Sequence, residues 1–297
     1  MDVKRIALPE SLGFREGTTS AHTSRTMMLG DLSLVLSIVE RTAKSDAYQA
    51  TIVDENILGK STHTTRLRTA KRLAELYGLD PTCVLFRLLR HFWDKEEDGR
   101  PMLAFLVAAT RDPLLRDATP FIVAQPMAAD VNANQIGEHL AQKFPGRYRP
   151  TTLHSVSQNL ASSWTQAGYL AGKVRKRRDR PIVTPAVAAF AVLLGYLCGL
   201  RGKLLLESPW TRLLDRPVSE VAGLAIEASK QGWLNYKAAG QIVEITFPGL
   251  LSPQEEKAAH EQDRLAPHEL STNLRSSLGS QRRRAAARLD GHVRQGG

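Results

Sequence analysis

This chain has few cysteines and no apolar segment long enough to cross a membrane. Cys83 and Cys198 are its only cysteines, so a secreted disulfide scaffold is excluded, and their positions do not fit a zinc-ligand spacing. Residues 1–23 lack the apolar segment of a secretory signal, which predicts a cytoplasmic protein. The most apolar stretch, 186–200, would span about 22 Å as a helix, whereas a bilayer core needs roughly 30 Å. We therefore expect no membrane association.

Residue patterns typical of catalysis are also absent. The eight histidines show no metal-ligand spacing, and the two cysteines lie in apolar stretches where packing is their expected role. The sequence 59–62, Gly-Lys-Ser-Thr, imitates the end of a phosphate-binding loop, but Asp54 replaces the first glycine and no strand precedes it. We expect no enzyme activity, no metal, no cofactor and no small-molecule substrate.

The positive charge is concentrated in two stretches. The chain carries 40 Lys and Arg against 30 Asp and Glu, a net charge of +10. Residues 60–72 contain five basic residues and no acid, and residues 147–180 contain eight basic residues and one acid. Such clustering predicts a polyanionic partner, with nucleic acid the leading class. A solvated basic surface is the alternative.

The first part of the chain is predicted to be mainly α-helical. The length indicates about two domains, at roughly 100–200 residues each. Residues 1–23 are expected to form a flexible arm. Residues 24–125 show apolar residues at helical spacing without strand-like alternation, which predicts a helical bundle. Its helices are expected to begin near Leu29, Ser45, Ser61, Pro81 and Pro101.

The second part is predicted to be α+β and to resemble a winged helix. Between 126 and 251 we expect two helices joined by a turn at 145–150, then two short strands around the exposed loop 171–179. A buried helix over 186–200, an amphipathic helix over 219–231 and a second hairpin at 233–247 follow. Residues 252–297 contain little apolar material and are predicted to be a mobile basic tail.

A basic helix over 62–77 is the first candidate for contact with nucleic acid. Its predicted buried face contains Leu67, Ala70, Ala74 and Tyr77, with basic residues opposite. Hydroxyls and free N–H groups at its first turn could bind a phosphate. The alternative is that Glu75 pairs with the basic face. The predicted contact residues are Thr64, Thr65, Arg66, Arg68, Lys71 and Arg72.

The helix over 152–168 is the second candidate. Between Thr151 and Gly172 there is no Asp, Glu, Lys or Arg, and His154 is the only residue that ionises near neutral pH. Neutral hydrogen-bonding side chains on the exposed face suit base edges in a DNA major groove, although the same face could instead pack against the bundle. The predicted base contacts are Thr152, Ser155, Gln158, Asn159 and Ser162. The predicted phosphate contacts, on both flanks, are Arg147, Arg149, Lys173, Arg175, Lys176, Arg177 and Arg178.

Five segments resemble a known family. The sequence at 54–61 with 64–67, at 100–106, at 111–116 and at 162–170 is similar to the BrxA proteins of BREX phage-defence islands. These are small helical proteins compared in fold with the antitermination factor NusB. The resemblance implies a NusB-like helical bundle and a non-enzymatic, DNA-binding accessory role alongside other subunits. The chain departs from the pattern by its greater length, its second hairpin and its basic tail.

Three functions remain open from the sequence. Double-stranded DNA binding in a phage-defence complex is the leading hypothesis. An RNA-binding role of the NusB type and a scaffold that contacts only proteins are the alternatives. Only 6% of the residues are aromatic, and because readers of single-stranded RNA stack bases on exposed aromatic rings, this favours duplex DNA.

Overall fold

The chain is mainly helical, with two small β-sheets. The computed structural model describes residues 7–240 and 242–265. Within these residues the helices are α1 Leu29–Ile38, α2 Ser45–Val53, α3 His63–Tyr77, α4 Val84–Trp93, α5 Arg100–Arg111, α6 Pro113–Val123, α7 Ala133–Lys143, α8 Pro150–Ala167, α9 Pro185–Leu197, α10 Pro209–Arg212, α11 Val218–Lys230 and α12 Pro253–Leu265. The strands are β1 Asp130–Val131, β2 Leu170–Ala171, β3 Lys176–Arg178, β4 Asn235–Ala239 and β5 Ile242–Thr246.

Helices α5 and α9 form the centre of the hydrophobic core. α9 begins at the N-cap Thr184, whose hydroxyl accepts from the N–H of Val187, and Pro185 occupies its first position. Every residue from Ala186 to Leu197 is buried, so α9 is a core helix. In the described part of the chain no single helix is long and apolar enough to cross a membrane, and the one apolar helix pair, Pro185–Leu197 with Gly202–Arg212, is bent by 118°.

The core continues across the predicted boundary at residue 125. The rings of Phe105 on α5 and Tyr169 after α8 contact each other at 5.1 Å. The indole N–H of Trp164 on α8 donates to the hydroxyl of Thr119 on α6 at 3.3 Å. Buried residues from both predicted regions therefore belong to one hydrophobic cluster.

The predicted flexible arm is wrong over residues 7–23. Phe14 is buried, with its ring 5.7 Å from that of Trp210. His22 is also fully buried, in a short 3-10 helix over Ala21–Thr23. This segment lacks helical periodicity, but Phe14 and His22 on it are buried against the rest of the protein. Residues 1–6 lie outside the described residues.

The predicted tail is also wrong in its first part. Helix α12 covers Pro253–Leu265, and Ala259 on it is fully buried. Glu255 accepts from Arg87 at 2.7 Å, and Glu256 accepts from the Tyr196 hydroxyl at 2.7 Å. Few apolar residues are needed because polar contacts hold this helix against the core. The remainder of the predicted tail, 266–297, lies outside the described residues.

The two sheets are antiparallel. The first has the strand order β1-β3-β2. Arg177 on the central strand β3 lies opposite Asp130 on β1 and opposite Ala171 on β2. The second is the β4–β5 hairpin, which confirms the predicted second hairpin.

Candidate nucleic-acid interface

Helices α7 and α8 position the predicted recognition face. Asn132 and Gln135 form a capping box at the start of α7. At Gly137 an added Cβ would lie 3.3 Å from the Ser157 hydroxyl, so this glycine lets α7 pack closely on α8. α8 ends at Gly168, where φ is 91° and the chain turns into β2. The pair is thus joined rigidly to the first sheet.

The first half of α8 presents a polar face to solvent. His154, Ser155 and Gln158 are exposed, and Thr152 is half-buried. The Gln158 amide lies 2.9 Å from the His154 ring nitrogen Nε2, and the Ser155 hydroxyl donates to its own helix at the Thr151 carbonyl. These side chains contact neighbours on their own helix only, so they remain accessible to a ligand.

The second half of α8 packs against the N-terminal segment, as the alternative interpretation predicted. Asn159 is half-buried, and its amide donates to the His22 carbonyl at 2.9 Å. The Gln166 side-chain carbonyl accepts from the N–H of Leu29 at 2.9 Å, and its amide contacts the half-buried Ser162 at 3.4 Å. Asn159 thus helps to hold the N-terminal segment in place, and Ser162 contacts the side chain of Gln166. The base-reading role predicted for these two half-buried residues stays a prediction.

A buried array of His22, Asp112 and Ser163 anchors the same segment. The His22 ring lies 2.9 Å from the Asp112 carboxylate through Nδ1 and 2.9 Å from the Ser163 hydroxyl through Nε2. The Ser163 hydroxyl also accepts from the Met27 N–H and donates its one proton to the Asn159 carbonyl. Because that proton is already engaged, the hydroxyl can only accept from Nε2 of His22.

The array has the residue types of a nucleophilic triad, but it is not arranged for that chemistry. All three side chains are buried, so a substrate has no access to the hydroxyl. Burial acts to raise the pKa of Asp112, but the His22 charge and several hydrogen bonds outweigh it and lower that pKa to about 2. We missed this array because its members are separated by 90 and 141 residues.

The loop between β2 and β3 displays part of the predicted positive charge. Gly172 adopts φ 98°, and a Cβ there would lie 2.1 Å from the Arg175 carbonyl, so the tight turn requires glycine. Lys173 and Arg175 in this loop and Arg177 on the adjoining strand β3 are exposed. Arg175 donates to Asp130 on β1 at 2.9 Å, and Arg177 lies 3.5 Å from the same carboxylate. The loop therefore keeps a net positive charge.

Two other predicted contacts, which lie on β3, have different roles. Arg178 is 3% exposed, pairs with Asp215 at 2.7 Å and lies over the Tyr169 ring at 5.7 Å. Its predicted phosphate contact is wrong, because the side chain turns into the core. Lys176 is half-buried and donates to the Thr165 hydroxyl at 2.8 Å, which ties β3 to α8.

Helix α3 has a different buried face from the one predicted. Thr69, Leu73, Leu76 and Tyr77 are buried, whereas Leu67 is 43% exposed. α3 contacts both α2 and α5, so its buried face is set by two neighbouring helices. The Thr62 hydroxyl caps α3 by accepting from the Thr65 N–H at 3.2 Å.

Among the described residues, two basic side chains of α3 have partners within the protein and two are exposed. Arg66 donates to the Val53 carbonyl at 3.0 Å, and Arg72 pairs with Glu75 at 2.6 Å. Arg68 and Lys71 are exposed. At the first turn Thr64 is exposed and Thr65 is half-buried.

One cleft brings the two basic stretches together. Its volume is about 540 Å³, and it lies between the N-terminal segment, α3 and the turn that precedes α8. Lys71 and Arg72 from α3 and Arg147 from the turn line it, together with Arg15. Arg149 is exposed at the N-terminus of α8. The structure thus joins residues of both predicted sites around a common basic surface.

Comparisons with known proteins show a likeness in fold alone. No protein-family model matches the chain, and neither does any curated protein. The chain is similar to a solved structure described as the magnesium ion-bound SspB crystal structure, with a TM-score of 0.50 and 11% sequence identity. The match covers 88% of this chain and 99% of that one. In the part of this chain that the structure describes, no group of three or more His, Cys, Asp or Glu residues could hold a metal ion.

Proposed function

We propose that this protein is a non-enzymatic double-stranded DNA-binding protein and an accessory component of a BREX-type phage-defence system. The observation that carries the DNA-binding proposal is the exposed neutral face of α8, flanked by basic residues at Arg149 and in the β2–β3 loop. Neutral hydrogen bonders suit base edges, and flanking cations suit backbone phosphates. The defence role rests on the sequence resemblance to the BrxA family.

The order of the elements supports a winged helix-turn-helix as the DNA-binding unit. Strand β1 precedes α7 and α8, strands β2 and β3 follow them, and β3 lies between β1 and β2 in the sheet. In such a unit the second helix enters the major groove. On this proposal Ser155 and Gln158 contact base edges, and Arg149, Lys173 and Arg177 contact phosphates on either side.

Duplex DNA is favoured over single-stranded RNA by the character of the exposed apolar side chains. Among the described residues, the large apolar side chains that are exposed are aliphatic residues and one methionine, Met127. Readers of single strands stack bases on aromatic rings. Within residues 7–240 and 242–265 no aromatic side chain belongs to the exposed class, which disfavours base stacking of this kind.

The proposal is tested by the salt dependence of DNA binding. Anisotropy titrations of a labelled duplex at several salt concentrations should give an association constant that falls steeply as salt rises, because each phosphate contact releases counterions. Replacing both Lys173 and Arg177 with Ala should reduce the slope by about 2, at roughly 0.9 per lost contact. Lys237→Ala, which removes an exposed charge from the β4–β5 hairpin, is the matched control and should leave the slope unchanged.

Two results would count against the proposal. Absence of salt-dependent duplex binding would favour the protein-only scaffold. A preference for single-stranded RNA over duplex DNA would favour the NusB-type role. The defence role is tested separately: deletion of the gene should lower phage resistance in a host that carries the complete BREX island, and unchanged resistance would refute it.

A further inference from the structure

The basic cleft has the size of a small-ligand site. Its volume of about 540 Å³ falls within the range of roughly 300–1,000 Å³ that is common for such sites. It is lined by the cations Arg15, Lys71, Arg72 and Arg147 and by hydroxyl-bearing residues, including Thr18 and Tyr148. A backbone phosphate of an intact duplex lies on a convex rod, so a concave cleft suits a smaller or terminal group better.

The charges around the cleft are not balanced by acids. Within the described residues, the side chains of Arg15 and Lys71 make no ion pair, whereas Arg72 is paired with Glu75. The other acid lining the cleft, Asp112, is hydrogen-bonded to His22 and Ser20. Close cations without counter-charges repel one another, and an anion bound between them removes that repulsion.

Arg111, at the base of the cleft, adds to the positive potential. It is buried and donates to the backbone carbonyls of Gly13, Ala74 and Glu75. Burial lowers the pKa of its guanidinium to about 10, and the nearby charge of Arg15 acts in the same direction. This group remains charged at neutral pH and cannot move away from its neighbours.

Arg147 and Tyr148 supply preorganised donors. The Arg147 guanidinium lies over the rings of Phe144 and Tyr148, at 5.1 and 5.2 Å, and donates to the Thr18 carbonyl. A guanidinium has five N–H donors, so most of them remain for a ligand. The Tyr148 hydroxyl is buried and has no hydrogen-bond partner among the described residues. A buried hydroxyl without a partner is costly unless a ligand satisfies it.

We propose that this cleft binds the phosphate group of a phosphomonoester, with Arg15, Lys71 and Arg147 neutralising its charge and the Tyr148 hydroxyl donating to one of its oxygens. A phosphomonoester carries about −1.5 to −2 charges at neutral pH and three strong acceptor oxygens, which matches several unpaired cations. Its source is either a free nucleotide or the terminal phosphate of a nucleic acid. The inference goes beyond duplex binding by α8 and does not depend on it.

Calorimetric titrations of the full chain test the site. Inorganic phosphate and adenosine monophosphate should bind, and adenosine should not. Lys71→Ala and Arg147→Ala should each weaken binding about tenfold or more, because each removes a charge-assisted contact. Arg147→Lys, which keeps the charge but not the planar fork, should recover part of that loss. Tyr148→Phe should weaken binding by a smaller factor, and Lys237→Ala should have no effect.

A second comparison identifies the source of the phosphate. A 5′-phosphorylated duplex that binds more tightly than the same duplex without the phosphate, with the difference abolished by Lys71→Ala, indicates a nucleic-acid terminus. Equal binding of the two duplexes, with retained nucleotide binding, indicates a free ester.

The failure of this inference is separable from the failure of the proposed function. The double replacement of Lys173 and Arg177 with Ala should weaken duplex binding and leave phosphate binding intact. Absence of phosphate binding at millimolar concentration, or equal affinity in the parent and in folded Lys71→Ala and Arg147→Lys variants, would overturn the phosphate site. Neither result would bear on the salt dependence of duplex binding.

Discussion

Two adjacent residues on α8 should respond to truncation in opposite ways. Gln158 is exposed and contacts only His154 on its own helix. Asn159 is half-buried and donates to the His22 carbonyl at 2.9 Å. We therefore expect Gln158→Ala to change DNA sequence preference and Asn159→Ala to change stability, although the two side chains have nearly the same chemistry.

The expected magnitudes follow from these contacts. Loss of the Asn159 hydrogen bond should lower the free energy of unfolding by about 1–2 kcal/mol, because it also leaves the His22 carbonyl without this donor. That corresponds to a fall in melting temperature of about 2–5 °C. Gln158→Ala should stay within about 0.5 kcal/mol of the parent. If the amide contacts an adenine, discrimination between the preferred and altered duplexes should fall by about 1–3 kcal/mol.

The assay pairs melting curves with binding isotherms on several duplexes for each variant. Non-specific affinity should be nearly unchanged in Gln158→Ala, because the phosphate contacts remain. A lower melting temperature for Gln158→Ala with unchanged sequence preference would refute the assignment of the exposed α8 face. Unchanged stability of Asn159→Ala would refute the packing role of the second half of the helix.

Three further predictions concern buried and part-buried polar contacts. The pKa of Asp112 falls from 3.8 to about 2 on folding, so the ionised carboxylate should stabilise the protein by about 2 kcal/mol. This stabilisation should be present above pH 3.8 and lost as the pH falls through about 2. Asp112→Asn should remove this pH dependence when the free energy of unfolding is measured at several pH values. Arg178→Ala should lower the free energy of unfolding by about 3 kcal/mol, because it leaves Asp215 without its buried partner. Arg177→Ala, the control, should have little effect on stability. Equal denaturation midpoints for the two variants would contradict this prediction. Ending the chain at Ser252 should lower the melting temperature by about 4 °C or more, because the contacts of Glu255 and Glu256 with the core are lost; an unchanged melting temperature would show that α12 adds no stability.

Most elements could be predicted because their signals are local. Thr184 followed by Pro185 marks the start of α9, and Gly168 marks the end of α8. Helical spacing identified the amphipathic segments. The arm and α12 were mispredicted because neither has a continuous apolar stripe. Phe14 and Ala259 are buried against other elements, and those surfaces exist only after the elements have packed.

The candidate site was predictable in composition and only partly in geometry. The basic stretches and the neutral face of α8 are visible as residue types. The sequence does not show which of those side chains remain free of partners within the protein. It also does not show that Lys71 and Arg147, which are far apart in the chain, line the same cleft. The unpartnered Tyr148 hydroxyl likewise has no signal in the sequence.

The sequence by itself determined the kind and order of the elements, because capping, turn formation and amphipathic spacing act within a few residues along the chain. Only the tertiary structure decided which polar groups face solvent. Asn159 is bonded to a carbonyl 137 residues away, and Arg178 to a carboxylate 37 residues away. A polar side chain is buried when a partner from another element compensates for its lost hydration, and the identity of that partner is fixed by packing rather than by local sequence.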